Sequence, residues 1–210
     1  MELLKYYPRI LYVDIDVHHG DGVEEAFYHT NRVMSVSFHQ FGDEFFPETG
    51  ELWSIGENAG KYYSVNVPLK KGITDEYYMD IYRRVISTVY NFYQPNVIVL
   101  QSGADSLSKD VIGHLELSMR AYGECVEFLK RFNTPMIILG GGGYTIENVA
   151  RCWAYETSVL LGHNIGNEIP KKNKFYDKYK DDNYKLHFPV DLNQNFNTTK
   201  DLDHIYRSIR

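Results

Sequence analysis

Asp14, Asp16, Asp21 and the adjacent pair His18–His19 fall within eight positions of one stretch, LYVDIDVHHGDGVEEAF, from Leu11 to Phe27. The run before them is apolar and reads as a strand. On a strand, residues i, i+2 and i+4 point the same way, so Asp14, Asp16 and His18 are predicted to share one face at its end. Two carboxylates and an imidazole placed together are costly unless a cation or hydrogen-bond partners offset their charge. Another carboxylate, Asp105 in LQSGADSL, would arrive from a second strand end. Two aspartates and a histidine make an oxygen and nitrogen set suited to a catalytic Zn2+ or a similar divalent ion, with a position left open for water. The plainer reading of each residue alone is that it caps a helix or bonds the backbone. Their joint placement favours the metal.

Two further stretches sit where they could serve such a centre. LGGGGYT (Leu139–Thr145) lacks the spacing of either glycine-rich phosphate motif, GxGxxG or GxxxxGK[ST]. Its glycines instead let backbone pass close to a ligand and set Tyr144 just past a strand end, where a phenol can donate to a developing oxyanion. A core tyrosine is the bland alternative in a chain with 18 of them. FFPETG (Phe45–Gly50) places two aromatic rings before a proline turn. On a loop facing the site they would wall a substrate channel; otherwise they are ordinary loop packing.

The elements that must hold these residues are five apolar runs: Ile10–Val17, Val33–Phe38, Tyr63–Val67, Val97–Gln101 and Met136–Leu139. Near-continuous Val, Ile and Leu predicts strands buried on both faces. Helical patterns lie between them. One runs from a cap at Thr74 or Asp75 to about Tyr93, burying Tyr78, Ile81, Tyr82, Val85, Val89 and Phe92, with Pro95 beyond it. A second spans about Ser118 to Arg131, and a third starts at a Thr145 cap and ends near Gly162. Alternating strands and helices predict an α/β fold with a parallel sheet. Ligands of such sheets bind beyond the carboxyl ends of the strands, which is where DIDVHHGDG, LQSGADSL and LGGGGYT begin.

Composition sets outer bounds. The 210 residues, 43% hydrophobic and 24% charged, suit one domain with a real core. A net charge of −6 argues against general nucleic-acid binding and is compatible with a basic substrate. Cys125 and Cys152 are expected to be reduced, buried thiols. No apolar run approaches the roughly 20 residues needed to span a membrane, so a cytosolic or nuclear protein is expected. About 171–210, rich in Lys, Asn, Asp and Tyr, is expected to be a solvated peripheral segment.

DIDVHHGDGVEEAF, GADSL and GGGGYTIENVARCW, in this order and spacing, resemble the zinc-dependent histone deacetylases, class I in particular. The similarity covers nearly the whole chain and weakens after about Leu161. It implies an arginase/deacetylase-like three-layer α/β fold with a central, mostly parallel sheet. Residues 1–210 would be the C-terminal portion of that catalytic domain, with about 171–210 as its peripheral segment. Asp16, His18 and Asp105 match the zinc ligands, a site that Fe2+ can also occupy. Tyr144 matches the oxyanion-stabilising tyrosine. Asp14 and Asp21 match carboxylates that orient a pair of catalytic histidines. Phe46 and Gly142 match walls of the acyl-lysine tunnel, with Ile112 at its rim. The resemblance also implies structural K+, at oxygens of Asp14, Asp16, His18, Ser37 and Phe38, and again near Phe27, Thr30, Val33 and Tyr63. Acetylated histone tails or other acetyl-lysine proteins would be substrates, corepressor subunits partners, and repression of transcription in the nucleus, with cytoplasm as a second location, the role.

Two departures from the family pattern stand out. The tandem histidines that move protons in this family lie upstream of the first motif, and this chain begins after that point. His18–His19 is a different pair: His18 is assigned to metal, and His19, on the opposite strand face, is expected to pack or bond locally. The 210 residues alone are therefore expected to be weakly active or inactive. The arginines that bind an inositol phosphate in corepressor-associated members correspond here to Val111 and Glu147, so that site is expected to be absent. The competing readings are an acetylpolyamine or small-amide deacetylase on the same fold, and a catalytically dead corepressor scaffold.

Overall fold

The computed structural model describes every residue except Asp43, Leu192 and Arg210. Five parallel strands form one sheet in the order β3-β2-β1-β4-β5. They are β1 (Ile10–Asp14), β2 (Val33–Gln40), β3 (Ser64–Leu69), β4 (Val97–Gln101) and β5 (Met136–Leu139). Between and after them come helices α1 (Asp21–Phe27), α2 (Asp75–Tyr93), α3 (Met119–Lys130), α4 (Ile146–Leu161) and α5 (Thr199–Ile209). This is the parallel α/β architecture expected from the alternation of patterns. From β1 the chain steps outward to β2 and β3, then returns through α2 to β4 on the other flank of β1. The strand order thus reverses between β1 and β4, the crevice where open α/β sheets bind ligands.

The strands form because β-branched and other apolar residues pack on both faces: Leu11, Val13, Val36, Phe38, Val67, Ile98 and Leu100 are buried. Pro68 is tolerated because β3 is an edge strand, where a missing N–H breaks no ladder on its outer side. Helix α2 buries Tyr78, Ile81, Tyr82, Val85 and Val89 as the periodicity predicts. Phe92 does not follow; it is 63% exposed, and Tyr93 turns inward in its place, its hydroxyl donating to the Asn31 carbonyl at 3.0 Å. Ser118 caps α3 by accepting from the N–H groups of Arg120 and Ala121. Thr74 and Thr145 hold the N-cap positions of α2 and α4 without side-chain capping bonds. Cys125 and Cys152 are free and buried.

Three expectations need correction, and one helix was not expected at all. First, β1 ends at Asp14, so Asp16 and His18 lie on a bend beyond the strand and their placement does not come from strand periodicity. Second, β5 is not buried on both faces. Ile137 and Leu139 are 42% and 46% exposed, and Ile146 and Leu161 of α4 are exposed too, so an apolar edge of the sheet stands open. The unexpected helix, α1, carries no fully buried residue and shows too little periodicity to predict. Third, the last segment is not simply solvated: Tyr179, Leu186, Phe188, Leu202 and Ile205 are buried. Arg151 of α4 fastens it, donating to Asp182 at 2.7 Å and to the Lys185 carbonyl at 3.1 Å, with its guanidinium over the rings of Tyr179 and Phe188. Asn197 bonds both the N–H and the carbonyl of Lys70 at the end of β3.

One buried acid lies apart from the strand-end cluster. Glu156 of α4 is 2% exposed and accepts a hydrogen bond from Ser102. Burial pushes its pKa up to about 7, against the opposing Ser102 bond. The unfolded chain therefore releases this proton first. Glu156 contributes stability fully present below pH 4.5 and lost as pH rises through about 7. The loss amounts to roughly 3 kcal/mol. Glu156→Gln is expected to remove that part of the pH dependence, read as the difference between wild-type and variant urea midpoints at pH 5 and pH 8. Parallel pH profiles for the two proteins would refute it.

Candidate metal centre

The carboxyl ends of β1 and β4 meet at the crevice, and three side chains converge there. Asp16, His18 and Asp105 each offer one ligand atom, all within 4.8 Å of one another. Among the described residues this is the one such group of His, Cys, Asp and Glu able to hold a metal ion. His18 Nδ1 lies 3.1 Å from Asp16 Oδ1 and 3.1 Å from Asp105 Oδ2. A proton on Nδ1 bridges the two carboxylates, and a cation could take its place.

Backbone and second-layer side chains fix each ligand. Asp105 sits in a short 3-10 turn, Ala104–Ser106, and is fully buried. Its Oδ1 accepts from Val17 N–H at 2.8 Å, which locks the bend after β1 to the turn after β4. Tyr122 holds that turn, donating to the Gly103 carbonyl at 2.6 Å and accepting from Ser106 N–H at 3.2 Å. Asp16 accepts from Gln101 Nε2 at 3.0 Å, from Gly142 N–H at 2.8 Å and from His18 N–H at 3.0 Å. A Cβ at Gly142 would stand 2.1 Å from Asp105 Oδ2, and one at Gly103 would stand 2.0 Å from Asp16 Oδ2. Only glycine lets the backbone close around these carboxylates.

The electrostatics favour a bound cation. Burial, then the charge of Asp16, raises the pKa of Asp105. Burial acts in the same direction on Asp16, but hydrogen bonds from His18, Gln101 and Gly142 outweigh it and hold Asp16 below the usual carboxylate range. Hydrogen bonds to Asp105 and Asp16 push His18 up to about 9, against its burial. Asp14 is buried beside them, accepting from Tyr12 at 2.7 Å and from Asp16 N–H at 3.1 Å, and burial raises its pKa to about 8. Burial thus penalises the negative charge of Asp14 and Asp105, a penalty that a divalent ion bound beside them offsets. The donor set and the glycine cradle both fit one.

The walls are aromatic. Phe45 stacks on the His18 ring at 5.2 Å and 11°. Phe46 and Tyr144 meet it edge-on at 6.1 and 6.3 Å. Phe46 is 73% exposed and Tyr144 45%. Burial and the charges of Asp105, Asp16 and Asp110 raise the Tyr144 pKa, so the phenol keeps its proton. Ile112 is half exposed at the rim, its N–H donating to Asp110 Oδ1 at 2.8 Å.

Other residues singled out in the sequence are placed as follows. Asp21 is exposed in the first turn of α1. Ser37 and Phe38 are buried in β2, the Ser37 hydroxyl accepting from Gly20 N–H. The carbonyls of Phe27 and Tyr63 accept from Thr30 N–H at 3.1 Å and Ser35 N–H at 3.0 Å, and Val33 opens β2. Val111 is exposed. Glu147 lies in the first turn of α4. His19 bonds Thr49 rather than the metal group.

Sequence reading missed two supports. Gln101 closes β4 in LQSG and bridges Asp16 to Gly103 N–H; a polar residue ending an apolar run was the signal. Asp110 was invisible. Its carboxylate gathers N–H groups of Ile112, Gly113 and, at 2.8 Å, Tyr144, which ties the rim loop to the tyrosine backbone.

Fold and site define a parallel α/β protein with a glycine-cradled Asp–His–Asp metal centre at the sheet's topological switch point. The histone deacetylase domain model matches residues 1–160, and the chain belongs to that family. It is 56% identical over 198 residues to histone deacetylase 9 of Arabidopsis thaliana, covering 94% of this chain and 46% of the relative. It is 54% identical to histone deacetylase 1 of Oryza sativa subsp. japonica, covering 98% of this chain and 39% of that one. The type-1 histone deacetylase 1 of Dictyostelium discoideum is 54% identical, with 94% and 39% covered. The chain thus spans less than half the length of each of these relatives. No helix among the described residues is long and apolar enough to cross a membrane.

Proposed function

We propose that the intact protein hydrolyses the acetyl amide of acetyl-lysine in histones and other proteins, giving lysine and acetate. The observation that carries this is the Asp16–His18–Asp105 group, with ligand atoms within 4.8 Å, walled by Phe45, Phe46 and Tyr144. Asp16, His18 and Asp105 would hold Zn2+, with Fe2+ as the alternative ion. When bound, the metal supplies Lewis acidity toward the acetyl carbonyl and lowers the pKa of the attacking water. Tyr144, which keeps its proton, donates to the oxygen on which negative charge develops. The aromatic rings admit a slim aliphatic arm and exclude bulk water. Asp14 and Asp21 would orient the histidines that move the protons in this family.

We further infer K+ bound at the carboxylates and carbonyls around Asp14–His18 and Ser37–Phe38, and near Phe27–Val33 and Tyr63. The role is transcriptional repression in the nucleus, with corepressor subunits as partners. Val111 and Glu147 leave no cationic grip for an inositol phosphate at those positions. The test pairs the zinc-loaded intact protein with an acetyl-lysine histone peptide and with N-acetylputrescine. The peptide is expected to show at least about tenfold higher kcat/KM. Preference for the polyamine would refute the protein substrate, and stimulation by inositol tetraphosphate would refute the lost site.

A further inference from the structure

The aromatic wall rests on a loop, Glu44–Gly50, with no regular structure of its own. What fixes it is a pair of buried histidines that the metal centre does not use. His39 of β2 is fully buried, and His19 nearly so, their rings 4.8 Å apart. His39 Nε2 lies 2.9 Å from the Gly50 carbonyl, which can only accept, so Nε2 carries the proton. His39 Nδ1 then accepts from the Ser37 hydroxyl at 2.9 Å, which itself accepts from Gly20 N–H at 3.3 Å. Burial, then the neighbouring His19, holds the His39 pKa down to about 3, so the neutral ring and its tautomer persist across the working pH range. A fixed relay therefore runs from Gly20, just past the metal-ligand bend, through β2 to Gly50.

A second stitch runs beside it. His19 Nδ1 bonds Thr49 Oγ1 at 2.8 Å, and His19 Nε2 lies 3.3 Å from Glu24 Oε2 without hydrogen-bond geometry. Glu24 is anchored in turn by Ser64 and Asn66 of β3, both at 2.6 Å. Gly50 lies directly on the two rings. With φ at +94°, a Cβ there would stand 2.4 Å from His39 Nε2 and 2.7 Å from His19 Cγ. The loop is thus held at its C-terminal end by contacts to both rings, and its other end carries Phe45 flat on His18.

We propose that His19 and His39 are positioning residues which, through Thr49 and Gly50, set the Phe45–Phe46 wall and so the width and shape of the channel through which an aliphatic arm reaches the metal centre. The inference rests on the reading of Phe46 as a channel wall. Two chelators separate the parts in the zinc-loaded intact protein. Acetohydroxamate reads the metal alone; octanohydroxamate adds an alkyl tail that must pass the wall. Thr49→Val, which keeps volume and loses the hydroxyl, is expected to lower the preference for the octyl compound about fivefold to tenfold, the worth of one hydrogen bond, and Gly50→Ala, whose Cβ would press on both rings, is expected to lower it at least as much. Zinc affinity and acetohydroxamate binding should stay unchanged, and Thr49→Ser should restore the preference. If Phe46→Ala lowers the preference while Thr49→Val and Gly50→Ala leave it intact, the positioning role is overturned and the channel stands. If Phe46→Ala leaves it intact, the channel reading falls and the inference with it. Equal loss of both chelators in the Thr49 and Gly50 variants would mark a merely structural role and also overturn the proposal.

Discussion

Asp105→Asn is expected to cost the protein its tight metal site while leaving the metal-free fold intact. The amide keeps an oxygen for Val17 N–H, now 2.8 Å from Oδ1, so the link between the two strand ends survives. At the second position, 3.1 Å from His18 Nδ1, it presents an NH2 that has no lone pair to give a cation. One lost ligand of a small set is worth about 3 kcal/mol or more, a hundredfold in affinity. A competition titration against a chromogenic chelator measures this directly. Stability should change little, because the lost hydrogen bond from His18 is set against relief of a carboxylate charge that burial and Asp16 disfavour. The metal-free variant should melt close to wild type. A variant that binds zinc as tightly as wild type but unfolds readily would assign Asp105 to structure rather than to metal.

Tyr144→Phe should spare the fold and the metal and remove most of the turnover of the intact protein. The ring is 45% exposed and meets His18 by its edge, contacts that phenylalanine reproduces. What disappears is one hydroxyl held in its donor form by burial and by three nearby carboxylates. Losing a single oxyanion donor typically costs about a hundredfold to a thousandfold in kcat. The loss should fall on kcat, with KM for an acetyl-lysine peptide changed little, because the bond strengthens only as charge develops. Equal kcat in the two proteins would remove Tyr144 from the chemistry.

The strand cores were legible because burial on both sides of a parallel sheet leaves uninterrupted apolar runs, and β4 and β5 fall on the runs read for them. The limits of β1 were not, since DIDV continues the same alternation after the ladder has ended at Asp14. Helix α5 escaped notice because its buried Leu202 and Ile205 are surrounded by Lys, Asp and His, a mixture that resembles a solvated tail until α2 and β3 are placed against it. The exposed face of β5 was also hidden: Met136–Leu139 is equally apolar throughout, and composition does not reveal which side lacks a neighbour.

By itself, the sequence determined the class of fold and the identities of the side chains in the Asp–His–Asp group, because strand-forming runs and the acidic residues that end them are local properties of the chain. Tertiary structure decided how those residues meet. Asp105 reaches Asp16 and His18 only because β4 returns to the flank of β1. Gly142 closes the cradle only because β5 follows β4 in the sheet. His19 proved to be a support for the Thr49–Gly50 loop, since the bend beyond Asp14 turns His18 to the carboxylates and leaves its neighbour facing β2. Sequence spacing specifies directions along one strand; close packing of separate strand ends specifies the distances on which a metal centre depends.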